Sequence, residues 1–182
     1  MEQSAASTAG SFSMGMDSAR LSARERQPGH DQTFREAETN FVAALRAICD
    51  DSFEIVDHPR DLAKIFGGRY GVVPEASLTY KPSGRKMFFE VKKQGPIGNA
   101  DERACKHHTV RFYKVLEDLY GYDYHPFVTI MCESLATDDR YTIKHPYFFE
   151  DDHYFCWVDY DLPSLSSYIR ELTSKYLAAD AG

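Results

Sequence analysis

The chain's 182 residues fit one domain with a tail, and 43% hydrophobic and 14% aromatic content can furnish a sizeable core. A net charge of −7 argues against indiscriminate adhesion to nucleic acid. No apolar run approaches the ~20 residues that cross a bilayer, and the first thirty residues lack a secretory apolar block, so cytoplasmic residence without a membrane partner is the expectation.

In chain order, residues 1–30 are rich in Ser, Ala, Gly and Met without periodicity and read as a disordered arm, leaving 31–182 as a single domain. Thr33-x-x-Glu36 forms a capping box, and Phe34, Ala37, Phe41, Ala44, Leu45 and Ile48 mark one helical stripe behind it. "FEIV" (53–56) predicts a strand, and "PRDLAKIF" (59–66) a short helix with Pro at its first position. "SLTY" (77–80) and "KMFFEVK" (86–92) predict two strands joined by the turn "KPSGR". A helix is expected from about Ala100 to Tyr120, stopped by Gly121. "FVTIMC" (127–132) has the continuous apolar character of a buried strand, "YFCWV" (154–158) predicts another, and "SLSSYIRELTSKYL" (164–177) a final amphipathic helix. The order implies an α/β fold, a mixed sheet flanked by helices.

The four cysteines show neither CxxC nor zinc-type Cys/His spacing and are expected as buried, reduced thiols. Trp157 and most tyrosines are expected in the core, His107 and His108 on a basic helix face, and Glu150–Asp152 in a solvated loop. Charge is unevenly spread. Between Tyr80 and Lys114, nine Lys/Arg stand against Glu90, Asp101 and Glu102, a net of +6 that leaves −13 for the remainder. A basic segment on an acidic body fits a confined polyanion site, although a solvated basic face would look the same.

Within "FFEVKKQGPIGNADER" (88–103), alternation puts Glu90 and Lys92 on one strand face and Met87, Phe89 and Val91 on the other. Alone, Glu-x-Lys reads as an exposed salt bridge. Glu75, separated from Glu90 by fourteen residues, is folded back towards it by the intervening turn. Two carboxylates on adjacent strands supply hard oxygen ligands for Mg²⁺, and the ammonium can orient or deprotonate a water or neutralise a phosphorane-like transition state. Asp57, Glu36 and Glu38 are alternative ligands.

The arrangement Pro74-Glu75-x14-Glu90-x-Lys92 resembles the PD-(D/E)XK nuclease superfamily, in which most members have Asp where Glu75 stands. "EVKKQG" followed by "GNADERACKHH" further resembles the EcoRI/MunI group of type II restriction endonucleases, closely from about Pro74 to His107 and diffusely elsewhere. The resemblance implies the restriction-endonuclease-like fold, Mg²⁺-dependent hydrolysis of double-stranded DNA at a short palindrome with central AATT, a homodimer, and a cognate methyltransferase as genetic partner. It implies Glu75, Glu90 and Lys92 as catalytic residues, with Glu75 and Glu90 holding the metal. Asn99, Ala100 and Arg103 would face base edges, Glu102 would brace arginines, and Gly98, Lys93 and Lys106 would complete the DNA contacts. Asn99 and Glu102 also make an ordinary capping box, a reading compatible with base contact. Two rivals are a catalytically inactive DNA-binding protein of the same fold and a nuclease of repair or branched DNA.

Overall fold

The computed structural model describes residues 28–121 and 127–178, with side chains from Arg35. Most of the expected N-terminal arm, and the side chains of Thr33 and Phe34, therefore lie outside the described residues. The first helix, α1 (Pro28–Ile48), begins before the expected capping box, so Thr33 lies within it rather than at its start. Its stripe is as expected where described: Ala37, Phe41, Ala44 and Leu45 are buried.

Five strands follow: β1 (Phe53–Asp57), β2 (Ala76–Tyr80), β3 (Arg85–Gln94), β4 (Phe127–Glu133) and β5 (Tyr154–Trp157). They lie in that order across one sheet. β1–β2 and β2–β3 are antiparallel, β3–β4 and β4–β5 parallel, so the sheet is mixed, as expected.

The helix predicted at 59–66 is absent; turns take its place, with Val72 N–H donating to the Leu62 carbonyl at 2.9 Å. Leu62 is fully buried there. Eight residues make too few helical bonds to offset nucleation, and tertiary packing favours the turns. The helix predicted at 100–120 is split into α2 (Ala100–Ala104), a 3₁₀ turn (Cys105–His107) and α3 (Val110–Tyr120). Thr109 begins α3 afresh, its hydroxyl accepting from Phe112 N at 3.2 Å. Gly121 ends that helix at φ 66°, where a side chain would be strained.

The stretch after β4, without a sequence assignment, holds three single-turn helices, α4 (Ser134–Thr137), α5 (Asp139–Thr142) and α6 (His145–Phe148). The closing helix α7 (Leu162–Leu172) runs into a π-type turn (Thr173–Leu177).

The two sheet faces differ. Met87, Phe89 and Val91 point with Leu78, Val128, Ile130 and Trp157 towards α1 and α7, forming one apolar core with Phe41, Leu45, Leu165 and Ile169. Fully burying each large side chain contributes roughly 1.5–3 kcal/mol, so this layer secures the sheet. On the other face, Phe88 and Phe127 join Phe112 and Leu116 of α3. Met131 joins Ala100, Ala104, Leu135, Tyr141 and Phe149 in a separate cluster. Polar side chains occupy the gap between these two clusters.

Of the cysteines only Cys132 is buried; Cys49, Cys105 and Cys156 are half-buried, and all four are free thiols. The Glu150–Asp152 loop is less solvated than expected. Asp152 pairs with Lys175 and accepts from the Tyr176 hydroxyl at 2.6 Å, tying the loop to the C-terminal turn. Trp157 is 1% exposed and donates its indole N–H to the Asp161 carbonyl at 2.9 Å, a core role as expected.

Candidate active site

β2 and β3 pair with Ala76 opposite Phe89. One step further in the antiparallel register brings Glu75 opposite Glu90, and residues directly opposite share a face. The backbone continues the pairing to that point, since Glu75 N–H donates to the Phe89 carbonyl at 3.0 Å. Glu75 Oε2 accepts from Val91 N–H at 2.9 Å. The methylene that distinguishes Glu from Asp thus reaches across to the β3 backbone, fixing one carboxylate oxygen. Burial, then the neighbouring Glu90 charge, raise Glu75 well above the usual carboxylate range, while Lys92 opposes the shift.

Glu90 is 6% exposed. Its Oε1 meets the Lys92 ammonium, two residues on along the same face, and lies 3.8 Å from His107 Nδ1. Burial lowers His107 to about 4 against the pull of Glu90, so this imidazole is neutral near neutral pH. His107 is therefore buried at the carboxylates rather than riding an exposed basic face. Its neighbour His108 is half-buried and contacts Thr129 Oγ1 through Nε2 at 2.8 Å and the Tyr113 hydroxyl through Nδ1 at 3.2 Å. Thr129 is the β4 residue opposite Glu90. The split of the predicted helix at His108 and Thr109 turns both histidines inwards.

The alternative ligands lie elsewhere. Asp57 pairs with Ala76, which belongs to the α1-facing core, so alternation directs Asp57 away from Glu75. It pairs with His58 and lines a cleft of about 450 Å³ with Arg35, Glu38 and Arg46. Glu36 is exposed on α1. Among the described residues no group of three or more His, Cys, Asp and Glu is arranged to hold a metal ion. The oxygen pair of Glu75 and Glu90 nevertheless suits a hard divalent cation. Burial and the neighbouring Glu90 charge hold the Glu75 carboxyl above its usual range, and such an ion would favour its ionised form.

β3 leads out of this site into α2. Gly98 sits at φ 155°, a backbone conformation strained for any residue with a side chain, so this bend favours glycine. Asn99 occupies the N-cap position and is exposed, but its side chain makes no capping hydrogen bond, so the expected capping box does not form. Arg103 and Lys106 are exposed as well.

Ala100 departs from expectation. It is 1% exposed and packed against the sheet, so only its backbone can meet a ligand. Glu102 approaches Lys144 at 3.5 Å rather than bracing an arginine. Lys93 alternates onto the opposite face from Lys92 and pairs with Glu133 at 2.5 Å, apart from the other expected contacts.

Two residues near this site carry no sequence signal. His107 reaches Glu90 only because the 3₁₀ turn rotates it inwards. Lys144, on the link between α5 and α6, meets the fully buried Asp101 of α2 at 2.6 Å, a pairing between residues far apart in sequence.

No protein-family model and no curated protein sequence matches the chain. Among solved structures, the chain is similar to MunI restriction endonuclease in complex with cognate DNA. The TM-score is 0.62 at 19% identity, over 75% of this chain and 95% of that one. The fold is therefore restriction-endonuclease-like. Among the described residues, no helix is long and apolar enough to cross a membrane.

Proposed function

We propose that the protein is a Mg²⁺-dependent type II endonuclease that hydrolyses phosphodiesters of double-stranded DNA. The observation that carries this reading is the shared face of Glu75, Glu90 and Lys92 at the point where β3 runs into α2. Glu75 and Glu90 would hold the ion. Mg²⁺ bound there would polarise the scissile phosphodiester and offset the charge developing on its oxygens.

The chain's own groups do the rest. Lys92, aligned by Glu90, presents an ammonium to a phosphate oxygen and adds positive charge where the transition state is most negative. The Val91 N–H holds Glu75 so that one oxygen keeps its orientation. Neutral His107 packs against Phe112 and Phe127, with ring centroids 5.6 and 5.3 Å away, and shields one side of Glu90 from water. Asn99 and Arg103, exposed beside this site, present an amide and a guanidinium as donors to adenine and thymine edges in the major groove. The Gly-Asn-Ala-x-Glu-Arg start of α2 favours a central AATT. A palindrome of that kind is matched by a two-fold homodimer, with a methyltransferase protecting host sites.

Glu90→Ala and Lys92→Ala test the assignment on plasmid DNA. Each is expected to lower Mg²⁺-dependent cleavage by at least ~10²-fold, the order seen when one preorganised charge-stabilising group is removed. Gel-shift affinity for duplex DNA in Ca²⁺ should persist. Near-wild-type cleavage by either variant would remove these residues from the mechanism.

A further inference from the structure

A helix of five residues cannot hold itself, because isolated helices shorter than ~12–15 residues are marginal in water. The pose of α2 is therefore set by what it packs against. Ala100 and Ala104 bury two small contacts beside Met131, Leu135 and Tyr141. Small side chains leave the helix free to rotate or slide, and they leave the fully buried Asp101 as the one directional anchor on this face.

That carboxylate depends on one cation. Lys144 Nζ stands 2.6 Å from Asp101 Oδ2, while among the described residues neither carboxylate oxygen has a further directed hydrogen bond. The same ammonium reaches Glu102 Oε1 at 3.5 Å and lies 5.4 Å and 5.6 Å from the ring centres of Tyr141 and Phe148. Its position is thereby fixed between the acidic first turn of α2 and the aromatic side of α5 and α6. The rest of this segment grips the bend before α2. Arg140 donates to the Pro96 carbonyl at 3.4 Å, and the Tyr141 hydroxyl to the Gly95 carbonyl at 3.3 Å. The segment 139–148 thus touches the bend that delivers Asn99 and the helix that carries Arg103.

We propose that Lys144 is a positioning residue for sequence discrimination: by neutralising buried Asp101 it latches α2 in the one orientation that presents Asn99 and Arg103 to DNA. This deepens the endonuclease reading and rests on it. Among the described residues Lys144 pairs with Asp101 and Glu102, and not with Glu75 or Glu90. Its loss would leave a buried carboxylate without a counter-charge, and the cheapest relief is rotation of α2 until Asp101 meets water. Arg103 would swing away from its base while the exposed cations keep their attraction for phosphate.

The test compares affinity for a short duplex carrying the site read from wild-type fragment ends with affinity for the same duplex scrambled. Amide exchange across 100–104 is followed in the DNA-free protein. Lys144→Met is expected to lower the specific-to-scrambled ratio by ~10-fold or more, the scale of one lost base contact, with scrambled affinity held within about twofold. Lys144→Arg should rescue most of the ratio.

Asp101→Asn/Lys144→Met carries no buried charge and guards against misfolding. It should show the same lowered ratio and the same faster exchange at 100–104 as Lys144→Met, because the two residues act as one unit. A wild-type ratio with unchanged exchange in the double variant would overturn the latch while leaving the nuclease reading intact. A wild-type protein with no preference between the two duplexes would end the DNA-reading assignment, and this proposal with it.

Discussion

The two faces of the sheet are built to different ends. Towards α1 and α7 the centre of the face is apolar, with the Phe41 ring against Phe89 and Trp157 at 5.2 and 5.9 Å. Towards α2 and α3 the same strands carry Glu75, Glu90, Lys92 and Thr129 between two smaller apolar clusters. One side supplies stability without chemistry. The other gives up continuous packing so that charged groups can stand close together on strands that cannot shift, because their reverse sides are locked in the core.

The sharpest way to break this division is at Glu75. Glu75→Ala should lower cleavage by at least ~10²-fold while thermal stability changes little or rises, since an enclosed carboxylate with a raised pKa is removed. Glu75→Asp should retain measurable cleavage, because either carboxylate can bind Mg²⁺. Plasmid nicking beside a melting curve checks both. Full activity in Glu75→Ala would move the metal ligand elsewhere.

The apolar face should respond the opposite way. Phe41→Ala, at a fully buried position, is expected to destabilise the fold by ~3–5 kcal/mol. Cleavage per folded molecule should persist at a temperature where the variant remains native. Urea unfolding measures the first and active-site-normalised rates the second. Loss of activity in a folded variant would mean that the two faces are not separable.

Arg103→Ala sharpens the contrast within the charged face itself. A bidentate base contact is worth ~1–3 kcal/mol, and a dimer makes it twice. Specific affinity should fall by orders of magnitude. Weak, salt-dependent, non-specific binding should remain, read as the slope of affinity against salt.

The smallest effect is on the acid side. Burial lowers His108 to about 3 and His107 to about 4, against roughly 6.5 in the unfolded chain. The unfolded state therefore binds protons that the native state refuses, and stability is lost as pH falls below about 6.5. Relative to His108→Gln, the wild type should lose about 1 kcal/mol per pH unit between about pH 6.5 and pH 4. Urea midpoints for both proteins across that range give the difference; a pH-independent gap would show His108 protonated in the native state.

The sequence made the charged face legible where a local rule governs it. Alternation along β3 separates Glu90 and Lys92 from Met87, Phe89 and Val91, and the turn before β3 folds Glu75 back towards Glu90. Gly121 as a helix stop is equally local. What escaped detection depends on contacts between distant segments. The break at His108 and Thr109 interrupts an otherwise helical pattern only because the histidines gain partners on β3 and β4. The helices α4 to α6 are single turns, too short to show a period, and the link between the last two carries Lys144. Ala100 matches a DNA-reading motif by position, yet its methyl fills a core gap that only the folded chain reveals. Lys93 follows Lys92 in sequence, and the same alternation that places Lys92 at the carboxylates sends Lys93 to Glu133 on the other face.

Digestion of a fully sequenced plasmid with the wild-type protein and Mg²⁺, followed by sequencing of the fragment ends, tests the central claim most directly. The expected result is a small set of defined fragments whose ends recur at one palindrome with central AATT, abolished by chelation of the metal. Intact plasmid at high enzyme and Mg²⁺ concentration would contradict the endonuclease assignment. Defined ends lacking AATT would overturn only the specificity inferred from Asn99 and Arg103.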